Sequence, residues 1–294
     1  MHRMLYRMVH RMMRVCAGLA VFAAAPLLAQ SRPVVLITGS TDGLGRELAY
    51  RMAATGAHVI VHGRNKERGN AVVDSIRKTG KGSAAFFSAD FSSLAQVRAF
   101  ADTILKRYPR LDILVNNAGI WTPEGPRQVS ADGYEMTFAV NYLAGYLLTK
   151  LLEPRLIASA PSRIVNVASI SQSPIDFTDV NQERGYNGGR AYGMSKLAQV
   201  MFTIDLAKEL EGKRVTVVAV HPASQMDTHL VRATGRMPRS TVDEGADAVM
   251  NVITGKNITN GGFYAGLTPG RAYPQAYDAG AREQLRLISE KLTK

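Results

Sequence analysis

Val34-Val35-Leu36-Ile37-Thr38-Gly39-Ser40-Thr41-Asp42-Gly43-Leu44-Gly45 is the stretch on which the reading of this chain turns. Four consecutive apolar residues have the character of a parallel strand buried on both faces. Glycines follow at once, and then Leu48, Ala49, Met52 and Ala53 recur at helical spacing. A strand that runs through a glycine turn into a helix start presents unpaired backbone N–H groups and the positive end of a helix dipole, a seat for a pyrophosphate. Gly39, Ser40, Thr41, Asp42, Gly43, Leu44 and Gly45 are therefore candidate cofactor contacts. Tight turns need glycine for their own geometry as well; the placement between strand and helix is what gives this one its weight.

The alternation continues outward from there. Residues 58–62 read as a second strand, 71–79 as a helix, 84–88 as a third strand, 94–108 as a helix and 111–115 as a fourth strand ending in Asn116-Asn117-Ala118-Gly119. Four strand and helix alternations in order imply right-handed crossovers. The expected fold is α/β: a single-domain Rossmann fold over residues 33–294, with a doubly wound parallel sheet and helices on both faces. In such a sheet the ligand crevice lies at the carboxyl ends of the strands, and Asn117, Ala118 and Gly119 sit at one of them.

The end of the second strand selects the cofactor. Dinucleotide folds carry an Asp or Glu there when the ribose has a free 2′-hydroxyl. This chain reads Gly63-Arg64-Asn65-Lys66, and a guanidinium fork suits a 2′-phosphate. NADP(H) is expected over NAD(H), with a surface turn as the plain alternative for Arg64. Asp90, after the third strand, suits either an adenine amino group or the cap of the next helix.

A second constellation lies downstream. A short apolar strand (Ile164, Val165, Asn166, Val167) leads through Ser169 into a helix carrying Tyr192 and Lys196, four residues apart and so on one helix face. An ammonium beside a phenol favours the phenolate and brings a group of pKa ~10 towards use as an acid or base near neutrality. Ser169 can hold a substrate oxygen. Tyr and Lys at this spacing are also common where a ring packs and an amine reaches for water. Asn141 stands in the middle of an expected helix over residues 134–152, a poor place for Asn unless it makes a packing or functional hydrogen bond.

Composition limits the classes open to the chain. With 294 residues, 46% of them hydrophobic, and 26 glycines, it can bury a full α/β core. Its one cysteine, Cys16, excludes an internal disulfide and a cysteine-based zinc framework, and no metal is called for. The net charge of +12 owes much to Arg3, Arg7, Arg11, Arg14 and Arg32, which all precede the first acid, Asp42. Elsewhere the bases are scattered among acids, which argues against nucleic acid and suits an anionic cofactor. Residues 1–30 pair those arginines with an apolar run from Val15 to Leu28, the layout of a secretory signal peptide. A membrane-attached cationic segment and a true start at Met12 or Met13 are the other two readings.

Taken together, Thr38-Gly39 with Gly43 and Gly45, Asn116-Asn117-Ala118-Gly119, Asn141, Ser169, and Tyr192 with Lys196 resemble the short-chain dehydrogenase/reductase family. The match runs in order from residue 34 to about residue 228. The long interval from Ser169 to Tyr192, with Tyr186-Asn187 inside it, is similar to the retinol dehydrogenase and WW-domain oxidoreductase-like branch. The resemblance implies hydride transfer between a nicotinamide and an alcohol or carbonyl. In it Tyr192 exchanges the proton, Ser169 steadies the substrate oxygen, Lys196 tunes Tyr192 and binds ribose, and Asn141 holds a relay water. Asn117 would lock the fourth strand beside the cofactor. One departure stands out: where the family commonly has Pro-Gly and then a Thr near the carboxamide, this chain reads His221-Pro222-Ala223-Ser224-Gln225-Met226-Asp227-Thr228, with Thr228 one place late.

The expected activity is an NADP-dependent oxidoreductase acting on a small alcohol or carbonyl substrate, with a redox-inactive dinucleotide-binding regulator as the alternative on the same fold. A homo-oligomer is expected from the resemblance. A cytoplasmic or membrane-associated catalytic domain is expected on cofactor grounds, with export through residues 1–30 as the competing location. Beyond Thr228 the sequence reads as a capping box at Thr241 and Glu244 opening a helix over 242–254, a last strand at 262–264 and a closing helix over 278–292. Trp121, Tyr186 and Met226 are candidate pocket residues.

Overall fold

Val, Ile and Leu dominate the central strand stretches, and most of the longer helices open on a side chain that caps them. In the computed structural model, which describes residues 32–294, the chain runs β1 (Val34–Ile37), α1 (Gly43–Ala54), β2 (His58–Gly63), α2 (Lys66–Thr79), β3 (Ser83–Ser88), α3 (Leu94–Arg107) and β4 (Ile113–Asn116). It continues through α4 (Met136–Phe138), a π turn (Ala139–Leu143), α5 (Ala144–Ala158), β5 (Ser162–Val167), α6 (Gly188–Glu209) and β6 (Val215–His221). α7 (His229–Arg232), α8 (Val242–Thr254), β7 (Phe263–Ala265), β8 (Thr268–Pro269), a 3₁₀ turn (Pro274–Tyr277) and α9 (Ala279–Leu292) complete it. The signal-like or anchoring segment read over residues 1–30 lies outside the described residues. Among the described residues no helix is long and apolar enough to cross a membrane.

The caps are local and explicit. Asp42 accepts from the Gly43 N–H, Asn65 from Arg68, Ser93 from Gln96, Asn187 from Arg190 and Asp278 from Ala281. Thr241 and Glu244 form the reciprocal capping box of α8.

The sheet has the order β3-β2-β1-β4-β5-β6-β7-β8, parallel throughout except for β8, which pairs antiparallel with β7. Alternation along each strand sends side chains to two cores. Leu36, Ile60, Leu114, Ile164 and Val217 pack on one face with residues of α3, α5 and α6. Val35, Ile37, Val61, Val115, Val165 and Val218 pack on the other with α1, α2 and α8. Burying one such side chain fully contributes about 1.5–3 kcal/mol, so the two faces supply the main driving force. The strand order reverses between β1 and β4, and there the carboxyl ends of neighbouring strands open a crevice.

The stretch expected as one helix over 134–152 differs in two ways. A π turn interrupts it at Asn141, with the Ala144 N–H reaching the Ala139 carbonyl five residues back. The helix then runs past Pro154 to Ala158. Pro154 costs a backbone hydrogen bond, but Leu152 and Leu156 on either side of it are fully buried, and packing overrides the local preference. α7, β8 and the 3₁₀ turn are too short to leave a periodic signature.

β2 delivers one polar group into the interior. His62 is buried, stacks on Phe91 with ring centroids 4.1 Å apart, and its Nδ1 accepts the Gly39 N–H at 3.1 Å. That bond requires an unprotonated Nδ1, and burial holds the imidazole down at about 4 against a usual 6.5. The unfolded chain therefore takes up a proton at His62 below pH 6.5 and the folded chain only below about 4, so this residue's contribution to stability is lost as pH falls across that window. His62→Gln keeps an acceptor for Gly39 without the titration, and thermal melts at the two ends of the window should show a smaller loss of Tm than in the parent chain. A Cβ at position 45 would press on the Gly39 carbonyl and lie 2.6 Å from Asn117 Nδ2. Gly45→Ala should therefore cost about 1–3 kcal/mol in urea denaturation.

Candidate active site

The glycine turn is held from three sides. Gly39 and Gly43 adopt φ of 63° and 51°, which glycine accepts without strain. The Ser40 hydroxyl donates to the Ile37 carbonyl at 2.7 Å and accepts the His62 N–H at 3.0 Å, tying the turn to β2. From β4, the Asn117 and Ala118 N–H groups both donate to Thr38 Oγ1 at 2.9 Å, and Asn117 Nδ2 donates to the Thr38 and Gly39 carbonyls at 2.8 and 3.2 Å. A Cβ on Gly39 would lie 2.8 Å from the Ala118 backbone. Gly45 reaches the same wall, Leu44 is buried in the core below, and Thr41 packs over Gly63.

At the end of β2, Arg64 is 70% exposed and 3.7 Å from the Asp90 carboxylate. Burial works against the charge on Asp90, but the Ser92 N–H, the Ser92 hydroxyl and Arg64 together outweigh it and hold this carboxyl below its ordinary range. Asp90 does not cap α3, a role taken by Ser93. Arg68, in the first turn of α2, lies 3.2 Å from Asp42. Sequence reading passed over Arg68, whose pairing with Asp42 brings a second guanidinium to the glycine turn.

Across the crevice, Ser169 follows the end of β5 and is buried. Tyr192 and Lys196 project from α6, with Lys196 Nζ 5.5 Å from the centre of the Tyr192 ring. Lys196 Nζ donates to the Val167 carbonyl at 2.8 Å and to Gln199 Oε1 at 3.1 Å. The electrostatics depart from the expectation that the ammonium makes the phenol acidic. Desolvation pushes Tyr192 up to about 12, with the Ser169 hydroxyl pulling in the other direction, and desolvation pulls Lys196 down to about 7. Burial outweighs the mutual attraction because it penalises the charged form of each group separately.

Asn141 lies in the π turn and links both halves of the crevice. Its Oδ1 accepts the Ile120 N–H at 2.8 Å, its Nδ2 donates to the Ile120 carbonyl and the Ser195 hydroxyl at 3.0 Å each, and its own carbonyl accepts Gln199 Nε2 at 2.9 Å. Gly119 comes within contact of the same side chain. Thr228 places its methyl group against Gly43, at the glycine turn. Of the candidate pocket residues, Trp121 meets Tyr192 with ring centroids 5.3 Å apart, and the Arg236 guanidinium lies over the Trp121 ring at 4.8 Å. Tyr186 instead neighbours Thr122 and Glu135, and Met226 packs against Gly245 of α8. Gln199 and Arg236 were not foreseen, since an amide inside a helix and an arginine in a loop leave no pattern.

Known proteins resemble this chain in sequence and in fold. The family model for short chain dehydrogenase matches residues 33–238. Retinol dehydrogenase 14 of Homo sapiens is 42% identical over 204 residues, which cover 64% of this chain and 60% of that protein. The chain spans about 60% of the length of the curated relatives it matches. Among solved structures, an uncharacterized protein from Mycobacterium Paratuberculosis superposes with a TM-score of 0.75 at 31% identity, covering 90% of this chain and 93% of its own. A short-chain dehydrogenase from Sphingobium yanoikuyae in complex with NADPH gives a TM-score of 0.65 at 26% identity, covering 88% and 94%. A crevice at the β1–β4 reversal, a glycine turn on one side of it and a Ser, Tyr and Lys set on the other, together with these matches, show that the chain belongs to the short chain dehydrogenase family.

Proposed function

We propose that this chain is an NADP-dependent oxidoreductase that interconverts an alcohol and a carbonyl by hydride transfer, with Tyr192 as the proton donor or acceptor. The observation that carries the reading is the convergence of Ser169, Tyr192 and Lys196 at the carboxyl end of β5, in the crevice that the glycine turn borders. When bound, NADP(H) supplies or takes up the hydride. The fit to such a group rests on the close backbone approach that Gly39 and Gly45 permit and on the exposed Arg64 guanidinium at the corner where a 2′-phosphate belongs.

Within the site, Ser169 orients the substrate oxygen and Tyr192 delivers its proton to it. A phenol held near 12 is protonated at neutral pH, the form needed to complete a reduction. Lys196 steadies the phenol from the same helix face and offers a donor to the ribose. Asn141 and Asn117 hold the walls, and Asp90 and Thr228 border the adenine and glycine-turn ends. Trp121, whose ring meets that of Tyr192, forms part of the substrate wall. A redox-inactive regulator has no use for the Ser, Tyr and Lys set, and the comparisons give that alternative no support.

The same reading puts the catalytic domain on the cytoplasmic side, where NADP(H) is supplied. It leaves residues 1–30 as the segment for membrane association or export. Self-association into a homo-oligomer belongs to the proposal and is measured by light scattering.

Two substitutions test the assignment. Tyr192→Phe should lower kcat for NADPH oxidation against a panel of aldehydes and ketones, retinal among them, by about 10²–10⁴-fold; equal rates in the two proteins would overturn it. Arg64→Ala should raise KM for NADPH roughly tenfold while leaving that for NADH nearly unchanged, and steady-state kinetics with both cofactors gives the comparison.

A further inference from the structure

The buried amine of Lys196 has two protein acceptors, and one of them is a side chain with no role assigned above. Gln199 lies one turn further along α6, is 4% exposed, and faces the same side as Lys196. Its Oε1 accepts from Lys196 Nζ at 3.1 Å while its Nε2 donates to the Asn141 carbonyl at 2.9 Å. These two bonds fix the orientation of the amide, because the reverse orientation would set donor against donor and oxygen against oxygen. Asn141 is itself fixed, through Ile120 and Ser195, and the Ser195 hydroxyl donates to the Tyr192 carbonyl at 2.7 Å.

We propose that Gln199 is a positioning residue for the reaction. It anchors Lys196 to the π turn at Asn141 and supports the ammonium form of that lysine beside Tyr192. The inference rests on the oxidoreductase reading for its consequence but not for its geometry. An ammonium has three N–H donors. The Val167 carbonyl and Gln199 take two, which leaves one for the crevice. An amide oxygen stabilises the charged amine by a charge-assisted hydrogen bond, and the second bond to Asn141 keeps that oxygen from turning away. The π turn thereby acquires a purpose, since it places a backbone carbonyl of the 136–158 stretch where the Gln199 amide reaches it.

The titratable groups facing Lys196 are few. Tyr192 shares its helix, and His221 at the end of β6 is held down at about 4 by burial and by Lys196, so it stays neutral near neutral pH. Backbone carbonyl and amide groups make up the other named contacts of the amine, so a change at position 199 is read directly in the titration of Lys196.

The test uses the full chain and two variants. Gln199→Met keeps the length and removes both polar atoms; Gln199→Glu places a carboxylate against the amine. The Lys196 signal, followed by NMR of lysine labelled at Cε and Nζ and assigned with Lys196→Met, should titrate at lower pH in Gln199→Met and at higher pH in Gln199→Glu. The kcat for carbonyl reduction should fall roughly tenfold in the methionine variant, the usual scale for losing one hydrogen bond to a charged group. Displacements in opposite directions are the signature, because a merely structural role would leave the Lys196 titration where it is in any variant that folds. Should the methionine variant fail to fold, Gln199→Leu, which also removes both polar atoms, takes its place and should move Lys196 to lower pH. An unmoved Lys196, or the same direction in both variants, overturns the proposal. Full activity in Tyr192→Phe would instead overturn the oxidoreductase reading and leave the Lys196 result standing.

Discussion

The hydrogen bonds that stitch β1 to β4 at the reversal of strand order are the constraint on which the rest of the site depends. Thr38 Oγ1 takes two N–H groups from Asn117 and Ala118, and the Asn117 amide returns two bonds to the carbonyls of Thr38 and Gly39. Two parallel strands that diverge at their carboxyl ends would otherwise leave these polar groups unpaired at the lip of the crevice, at a cost comparable to several lost hydrogen bonds. Closing them fixes the glycine turn on one side and the loop to Ile120 on the other. Ile120 then holds Asn141, Asn141 holds Gln199, and Gln199 reaches Lys196. A continuous run of short polar contacts thus joins the glycine turn to the reacting side chains.

The balance of charge in the site follows from burial more than from pairing. A phenol and an amine on one helix face have the means to share a proton to mutual benefit, yet desolvation raises one and lowers the other, so near neutral pH the phenol keeps its proton and the amine titrates. Groups poised in this way respond to what surrounds them, since any neighbouring acceptor or charge tips a balance that solvent does not buffer. The two acceptors of Lys196 matter for that reason, and so does the Ser169 hydroxyl beside Tyr192.

Much of this was legible in the residues. The glycine turn, the strands at 34–37 and 58–62, the capping box of α8, and the placement of Ser169, Tyr192 and Lys196 on adjoining elements follow from periodicity and spacing. Other features did not, for physical reasons. The π turn at Asn141 arises from contacts with Ile120, Ser195 and Gln199, which are distant in sequence, and no local propensity encodes it. Continuation of α5 through Pro154 depends on what Leu152 and Leu156 pack against. The sign of the change at Tyr192 depends on how much water the fold removes, and that quantity has no expression in a four-residue spacing.

The two-residue strand β8 has a consequence for association between copies. Open parallel sheets expose a row of backbone groups on their last strand, and that row invites a strand from another molecule. Here the final strand turns back antiparallel and carries Pro269, which has no N–H to donate, so the ladder has little left to recruit a newcomer. Growth of the sheet into a continuous intermolecular ribbon is discouraged on this flank, and docking of two molecules there would have to proceed through side chains.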